Sequence, residues 1–343
     1  MSVFSKRFAL IISAVFTVFI LAAAAQAQSM KAETAGAGGC PYTVMVLNAK
    51  YAKSEANIDI QVNDGKTLTK SMLLAAQGKV DIVSAVPAPY IFMSQGTKMY
   101  KKLGDKAVTL SKKLRGMFGY ECGMYMPIVW DNARVKTWQG FKGKKIFTGP
   151  PSGAAAAYSE SFIRVMTGYE PNQDYEAVRL NWGSGQQAMR DGQLDVYMRP
   201  LTVPSALMEE LTGIRPVRLF GVPDDMLEDA NLKKMVGAPG RGLGNLKAGT
   251  FPGVVNNNQD IRLPTFALIQ VAGAHVDADL IYKITKAYWD NIDEVHQNAP
   301  FLSKMTKQTA FASLNVPLHM GAYKYYQESG LEIPEALTPP EMR

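Results

Sequence analysis

Two stretches of this chain alternate short apolar strands with helices, and most of those strands run into a turn rich in Gly, Pro, Ser or Asn. In the first stretch, a glycine-rich loop ending at Pro41 opens a helix over 42–53, with Pro41 tolerated in its first turn. Residues 58–62 alternate as a strand does, 68–77 read as helix up to a stop at Gly78, and 80–83 form a further short strand before Pro87 and Pro89 punctuate the chain. In the second stretch a strand over 145–148 meets Gly149-Pro150-Pro151-Ser152-Gly153 and then an alanine-rich helix over 154–165. A strand over 177–180, a loop over 181–185, a helix starting at 186–190, a strand over 194–198 with Arg199 at its C-terminal edge, and a helix over 206–211 follow. Strands separated by helices pair in parallel, with the helices covering the sheet faces.

Between and after these stretches, 114–130 reads as a strand leaving the first unit and 263–271 as a strand returning to it. The Gly- and Asn-dense segment 239–259 reads as loop. A helix over 277–297 carries Ile281, Ile284, Tyr288, Ile292 and Val295 at three- and four-residue spacing, which makes one face apolar. The 343 residues suffice for two domains of ~100–200 residues each. The expected division is one lobe from 28–130 with 261–343 and a second from 131–260.

The N-terminus has the pattern of a secretory signal peptide over 1–27. Lys6 and Arg7 precede an uncharged apolar run, and Ala25-Gln26-Ala27 offers the small residues of a cleavage site after Ala27. The exported chain is expected to be soluble and periplasmic. Losing Lys6 and Arg7 lowers the formal charge from +7 to +5. This mild excess is spread along the chain with no dense basic stripe, which argues against nucleic acid and suits a small anion. Cys40 and Cys122 can pair in an oxidising compartment, subject to the separation of their Cβ atoms. His275, His296 and His319 lack metal-ligand spacing, and no paired carboxylates or Ser/His/Asp set stand out, so neither a metal, a cofactor nor an enzymatic activity is expected.

Several segments together resemble the TAXI branch of TRAP-transporter solute receptors. Gly140-Phe141-Lys142-Gly143-Lys144-Lys145-Ile146 with the loop 149–153 resembles the segment that starts the family's second lobe. Arg190-Asp191-Gly192-Gln193-Leu194-Asp195 and 284–291 resemble a strand start and the C-terminal helix. The segment 317–330, from Pro317-Leu318-His319 through Tyr325-Tyr326 to Gly330, resembles the closing signature. The resemblance implies a type II periplasmic binding-protein fold, in which two α/β lobes joined by a hinge enclose a ligand cleft. It also implies delivery of an organic acid or acidic amino acid to TRAP membrane permease subunits. A sensory or ABC-type binding protein of the same fold is the alternative. The first glycine-rich loop departs from the family in having one tyrosine, Tyr42, and Ala154 to Ala157 lack the usual hydroxyl residue.

In open α/β sheets ligands sit beyond the C-terminal ends of the strands. This places Gly38, Gly39, Tyr42, Ser84, Pro151, Ser152, Gly153, Ala154, Asn181, Trp182, Ser184 and Arg199 at the expected ligand site. Arg199 would pair with a carboxylate through parallel N–H donors. Ser152 and Gly153 would offer donors at a helix start. Tyr42 and Trp182 would wall the ligand, and Asn181 and Ser184 would add neutral hydrogen bonds. A ligand touching both lobes of this monomer would favour the closed state.

Overall fold

The computed structural model describes residues 29–342; the signal-peptide reading over 1–27 lies outside the described residues. The chain begins with β1 (Ser29–Glu33), α1 (Cys40–Ala56), β2 (Asp59–Asn63), α2 (Leu68–Ala76), β3 (Ile82–Ala85), α3 (Pro87–Ser94), α4 (Asp105–Ser111) and the long β4 (Leu114–Trp130). It continues with β5 (Lys145–Phe147), α5 (Ala154–Thr167), β6 (Glu176–Val178), α6 (Trp182–Arg190), β7 (Val196–Leu201), α7 (Ala206–Ile214), β8 (Val217–Leu219), α8 (Ala230–Val236) and β9 (Arg241–Leu246). The return strand β10 (Ile261–Gly273) leads into α9 (Ala278–Asp290), α10 (Ile292–Asn298) and α11 (Met320–Glu328).

The strands order as β2-β1-β3-β10-β4-β7-β5-β6, with β8 also on β4 and β9 also on β10. The βαβ units pair in parallel: β1 with β2 and β3, and β5 with β6 and β7. β4 and β10 run antiparallel to their neighbours and join the two halves. The first half reads β2-β1-β3-β10-β4 and the second β6-β5-β7-β4-β8. In each, the strand arriving from the other half lies between the third and fourth strands. This repeated order is the two-lobed α/β arrangement of the type II periplasmic binding-protein fold.

The crossover of β4 from one half to the other needs Gly123. Its φ is +154°, and a Cβ there would lie 2.0 Å from the Leu201 carbonyl oxygen. Only glycine lets β4 turn from β10, which it pairs with up to Met124, onto β7, which it pairs with from Met124 to Ile128.

A large core includes Met45 and Tyr51 of α1, Phe118 of β4, Ile269 of β10, and Tyr288 and Trp289 of α9. Phe118 stacks on Tyr288 with ring centres 4.8 Å apart. The polar ends of the buried aromatics are satisfied in a chain: Trp289 Nε1 donates to the Tyr326 hydroxyl at 2.9 Å, which donates to the Met117 carbonyl at 2.9 Å. A smaller core around Met126, Phe147, Tyr197, Leu211 and Leu263 lies in the second half, where Phe141, Ile146, Phe162 and Val196 belong to the large one.

Several elements differ from the sequence reading. Segment 239–259 is not all loop, because 241–246 is β9, paired with β10 from Ile261↔Leu246 to Phe266↔Arg241. Its glycines let Thr265 sit close across the ladder, 2.7 Å from where a Cβ of Gly242 would be. β1 went unread, although it pairs with both β2 and β3. Pro87 and Pro89 begin a helix, since proline suits a first turn. The loop expected at 181–185 is instead the start of α6, capped by Asn181. The C-terminal helix divides at Asn291, which leaves helical geometry with φ −106° and ψ 22°. Arg199 lies within β7, which is carried on to Leu201 by register with β4 (Met126↔Arg199, Met124↔Leu201).

Candidate anion-binding cleft

The βα turns of both halves face a shared cleft. α1, α2 and α5 start at its edge, with Gly39, Thr67 and Gly153 as their N-cap residues, and none of the three is capped by a side chain. An α-helix leaves its first N–H groups without intrahelical partners, and its dipole makes that end positive. Three such ends line one cleft. The first turn of α1 is anchored by a disulfide from Cys40 to Cys122 of β4, with Cα atoms 5.7 Å apart.

Arg199 reaches the cleft from β7 and is only 6% exposed. Its guanidinium lies over the Trp182 ring, with Cζ 4.2 Å from the ring centre. Among the described residues its Nε and Nη1 have no hydrogen-bond partner, and no carboxylate pairs with it. Burial pulls its pKa down from the ordinary arginine value, yet a guanidinium stays protonated in proteins. A buried cation with unpaired donors costs free energy that an anion alongside it would recover.

Arg241, on β9, also lines the cleft. Its Cζ stands 4.0 Å from the centre of the Tyr158 ring and 5.1 Å from that of Tyr125, and the two rings are 4.5 Å apart. Aromatic faces thus hold both guanidiniums by cation–π attraction, which positions them without neutralising them. Lys66 adds a third cation, and among the described residues no Asp or Glu lines the cleft.

Gly39, Gly153, Ala154, Trp182 and Arg199 line the cleft, whereas Gly38, Tyr42, Ser84, Pro151, Ser152, Asn181 and Ser184 are not among its lining residues. Ser84 is fully buried, close to the Thr34 hydroxyl at 3.3 Å and the Gln270 side-chain oxygen at 3.4 Å. Asn181 Oδ1 accepts from the Ser184 N–H at 2.8 Å, so both serve the cap of α6. Ser152 is exposed at φ +60°, and its carbonyl accepts from Thr69 Oγ1 at 3.1 Å, a direct bond between the two halves. Sequence reasoning missed Tyr125, Lys66 and Arg241. Arg241 was hidden in a segment taken for loop, and its cationic type was the one signal available.

The histidines have structural partners. His319 caps α11 through Nδ1 and meets the Val276 carbonyl at 3.1 Å through Nε2. His296 meets the Met305 carbonyl, and His275 pairs with Asp81. Among the described residues no group of three or more His, Cys, Asp or Glu could hold a metal ion, and no helix is long and apolar enough to cross a membrane.

The model of the NMT1-like family matches residues 33–330. Among solved structures, a TRAP periplasmic solute-binding protein from Ralstonia eutropha with bound (S)-2-acetolactate is 11% identical, with 89% of this chain and 86% of that chain covered and a TM-score of 0.46. A Bordetella pertussis extracytoplasmic solute receptor binding pyroglutamic acid is 11% identical, with coverages of 89% and 93% and a TM-score of 0.47. The alkanesulfonate-binding protein of Xanthomonas axonopodis pv. citri, bound to MOPS, is 11% identical, with coverages of 89% and 92% and a TM-score of 0.46. At these identities none of those ligands transfers to this chain.

Proposed function

Given that the chain belongs to the NMT1-like family, we propose that it is a periplasmic solute-binding protein, without enzymatic activity, that captures a small organic anion between its lobes. The observation that carries this reading is Arg199, a cation 6% exposed with two unpaired donor nitrogens in the cleft. The three helix starts without side-chain caps support it, because Gly39, Thr67 and Gly153 at these ends line the same cleft.

The lobes, 28–130 with 261–343 and 131–260, move as units about β4 and β10. A ligand that touches both shifts the balance to the closed form. The closed monomer then delivers its cargo to a membrane transporter. The TAXI-like segments, above all 317–330, favour a TRAP-type permease as that partner. The segment 1–27 directs export and is cleaved after Ala27.

Native mass spectrometry of the purified exported protein is expected to find a co-purifying acid. In calorimetry with that acid, Arg199→Ala is expected to weaken binding at least about tenfold, the loss of a charge-assisted pair. Equal affinity in the variant and the parent would remove Arg199 from the site and leave the proposal without its main support.

A further inference from the structure

Resting on the anion-binding reading above, we infer that Arg241 is a second anion anchor and that the ligand is a short acid with two negatively charged groups and no ammonium. Three observations lead there.

First, two guanidiniums line one cleft, and among the described residues neither has a carboxylate partner. Arg199 is buried with Nε and Nη1 unpaired. Among the described residues Arg241 makes no ion pair, and its guanidinium lies against the adjoining rings of Tyr125 and Tyr158. Aromatic contacts fix a guanidinium in place but leave its charge to be balanced by something else. A single carboxylate can neutralise one of them. Both guanidiniums belong to the lining of the same cleft, so a ligand with two anionic ends has a cation for each.

Second, an amino acid would bring an ammonium into this space. An ammonium donates three hydrogen bonds and accepts none, and removed from water it needs a carboxylate or several oxygens around it. Among the described residues no carboxylate or amide side chain lines the cleft, and the side-chain oxygens in its lining are the hydroxyls of Thr67 and Tyr125. Beside two guanidiniums and Lys66, an ammonium would also be repelled.

Third, the rest of the lining is apolar: Leu68, Val86, Phe266 and Leu268, with Pro41 and Pro200. Such walls suit a short methylene chain. They offer few side-chain acceptors to the several hydroxyl protons of a sugar acid, which would lose their bonds to water.

The purified exported protein should be titrated by calorimetry with three matched sets of acids: succinate and glutarate, aspartate and glutamate, butyrate and pentanoate. Succinate or glutarate is expected to bind at least tenfold more tightly than the amino acid and the monoacid of equal chain length. In Arg241→Gln, with its circular dichroism spectrum unchanged, the diacid should lose at least tenfold and the monoacid less than threefold. Aspartate or glutamate binding as well as the diacid would overturn the exclusion of an ammonium. A monoacid matching the diacid, or Arg241→Gln weakening both alike, would overturn the second anchor. If none of the six acids binds the parent protein, the reading of the cleft as an organic-anion site falls together with this inference. The parent panel stands by itself should Arg241→Gln fail to fold.

Discussion

Arg199 rests its guanidinium on the indole of Trp182, with Cζ 4.2 Å from the ring centre, so a residue of β7 is oriented by the first residue of α6. Trp182 also abuts the other half of the molecule: a Cβ built on Gly36 would lie 3.1 Å from Trp182 Cβ. One indole therefore supports the cation and spans the cleft. Replacing it with Leu keeps an apolar side chain but removes the π face. Trp182→Leu is expected to weaken anion binding about two- to thirtyfold, corresponding to the ~0.5–2 kcal/mol of a cation–π contact. Calorimetry is the measurement, and an affinity equal to that of the parent would contradict the supporting role of the indole.

The bond from Thr69 Oγ1 to the Ser152 carbonyl joins the halves directly. Thr69→Val keeps the shape of the side chain and removes the donor. A lost hydrogen bond of ~0.5–1.5 kcal/mol should lower the closed population and with it the apparent affinity about two- to tenfold. Small-angle scattering of the unliganded variant should show a larger radius of gyration than the parent; identical profiles and affinities would show that the bond does not help hold the halves together.

Cys40 and Cys122 lie 82 residues apart in sequence, and their bond ties the start of α1 to β4. Closing so long a loop removes much of the freedom of the unfolded chain. The double variant Cys40→Ser with Cys122→Ser is expected to lose about 2–5 kcal/mol of stability in urea unfolding. Adding a reductant should destabilise the parent similarly and leave the variant unmoved.

His319 is buried, and burial pushes its pKa down to about 4 from the ordinary 6.5. It is therefore neutral in the folded protein near neutral pH, while the unfolded chain takes up a proton below about 6.5. Folding stability should fall as pH drops from 6.5 towards 4, by up to about 3 kcal/mol. His319→Asn keeps a cap for α11 without the titration. Between pH 6.5 and 5, above the usual carboxylate range, the stability of the variant should decline less steeply than that of the parent. Parallel curves would remove His319 as the cause.

Gly123 sits at +154° in φ, where a Cβ would strike the Leu201 carbonyl at 2.0 Å. Gly123→Ala must displace β4 from β7 at the junction of the lobes. A loss of about 2 kcal/mol or more, read as a lower thermal midpoint, is expected.

The local chemistry of the chain determined its parallel βα units: apolar runs of strand length, the glycine and proline turns after them, and alanine-rich or amphipathic helices. The same patterns placed Gly153 and Ala154 at a helix start and singled out Arg199 and Trp182. What tertiary structure alone decided was pairing. Segment 241–246 is poor in strand-forming residues, with two glycines among its six positions, and becomes a strand because β10 supplies partners for its backbone. Arg241 reaches the cleft only through that pairing. Arg199 likewise belongs to a strand only because β4 extends β7 to Leu201. Whether a cation is paired depends on which carboxylates fold beside it, and that is a property of distances between residues far apart in the chain. No window of sequence contains those distances, so the unpaired charge of Arg199 and Arg241 emerges only when the two halves are brought face to face.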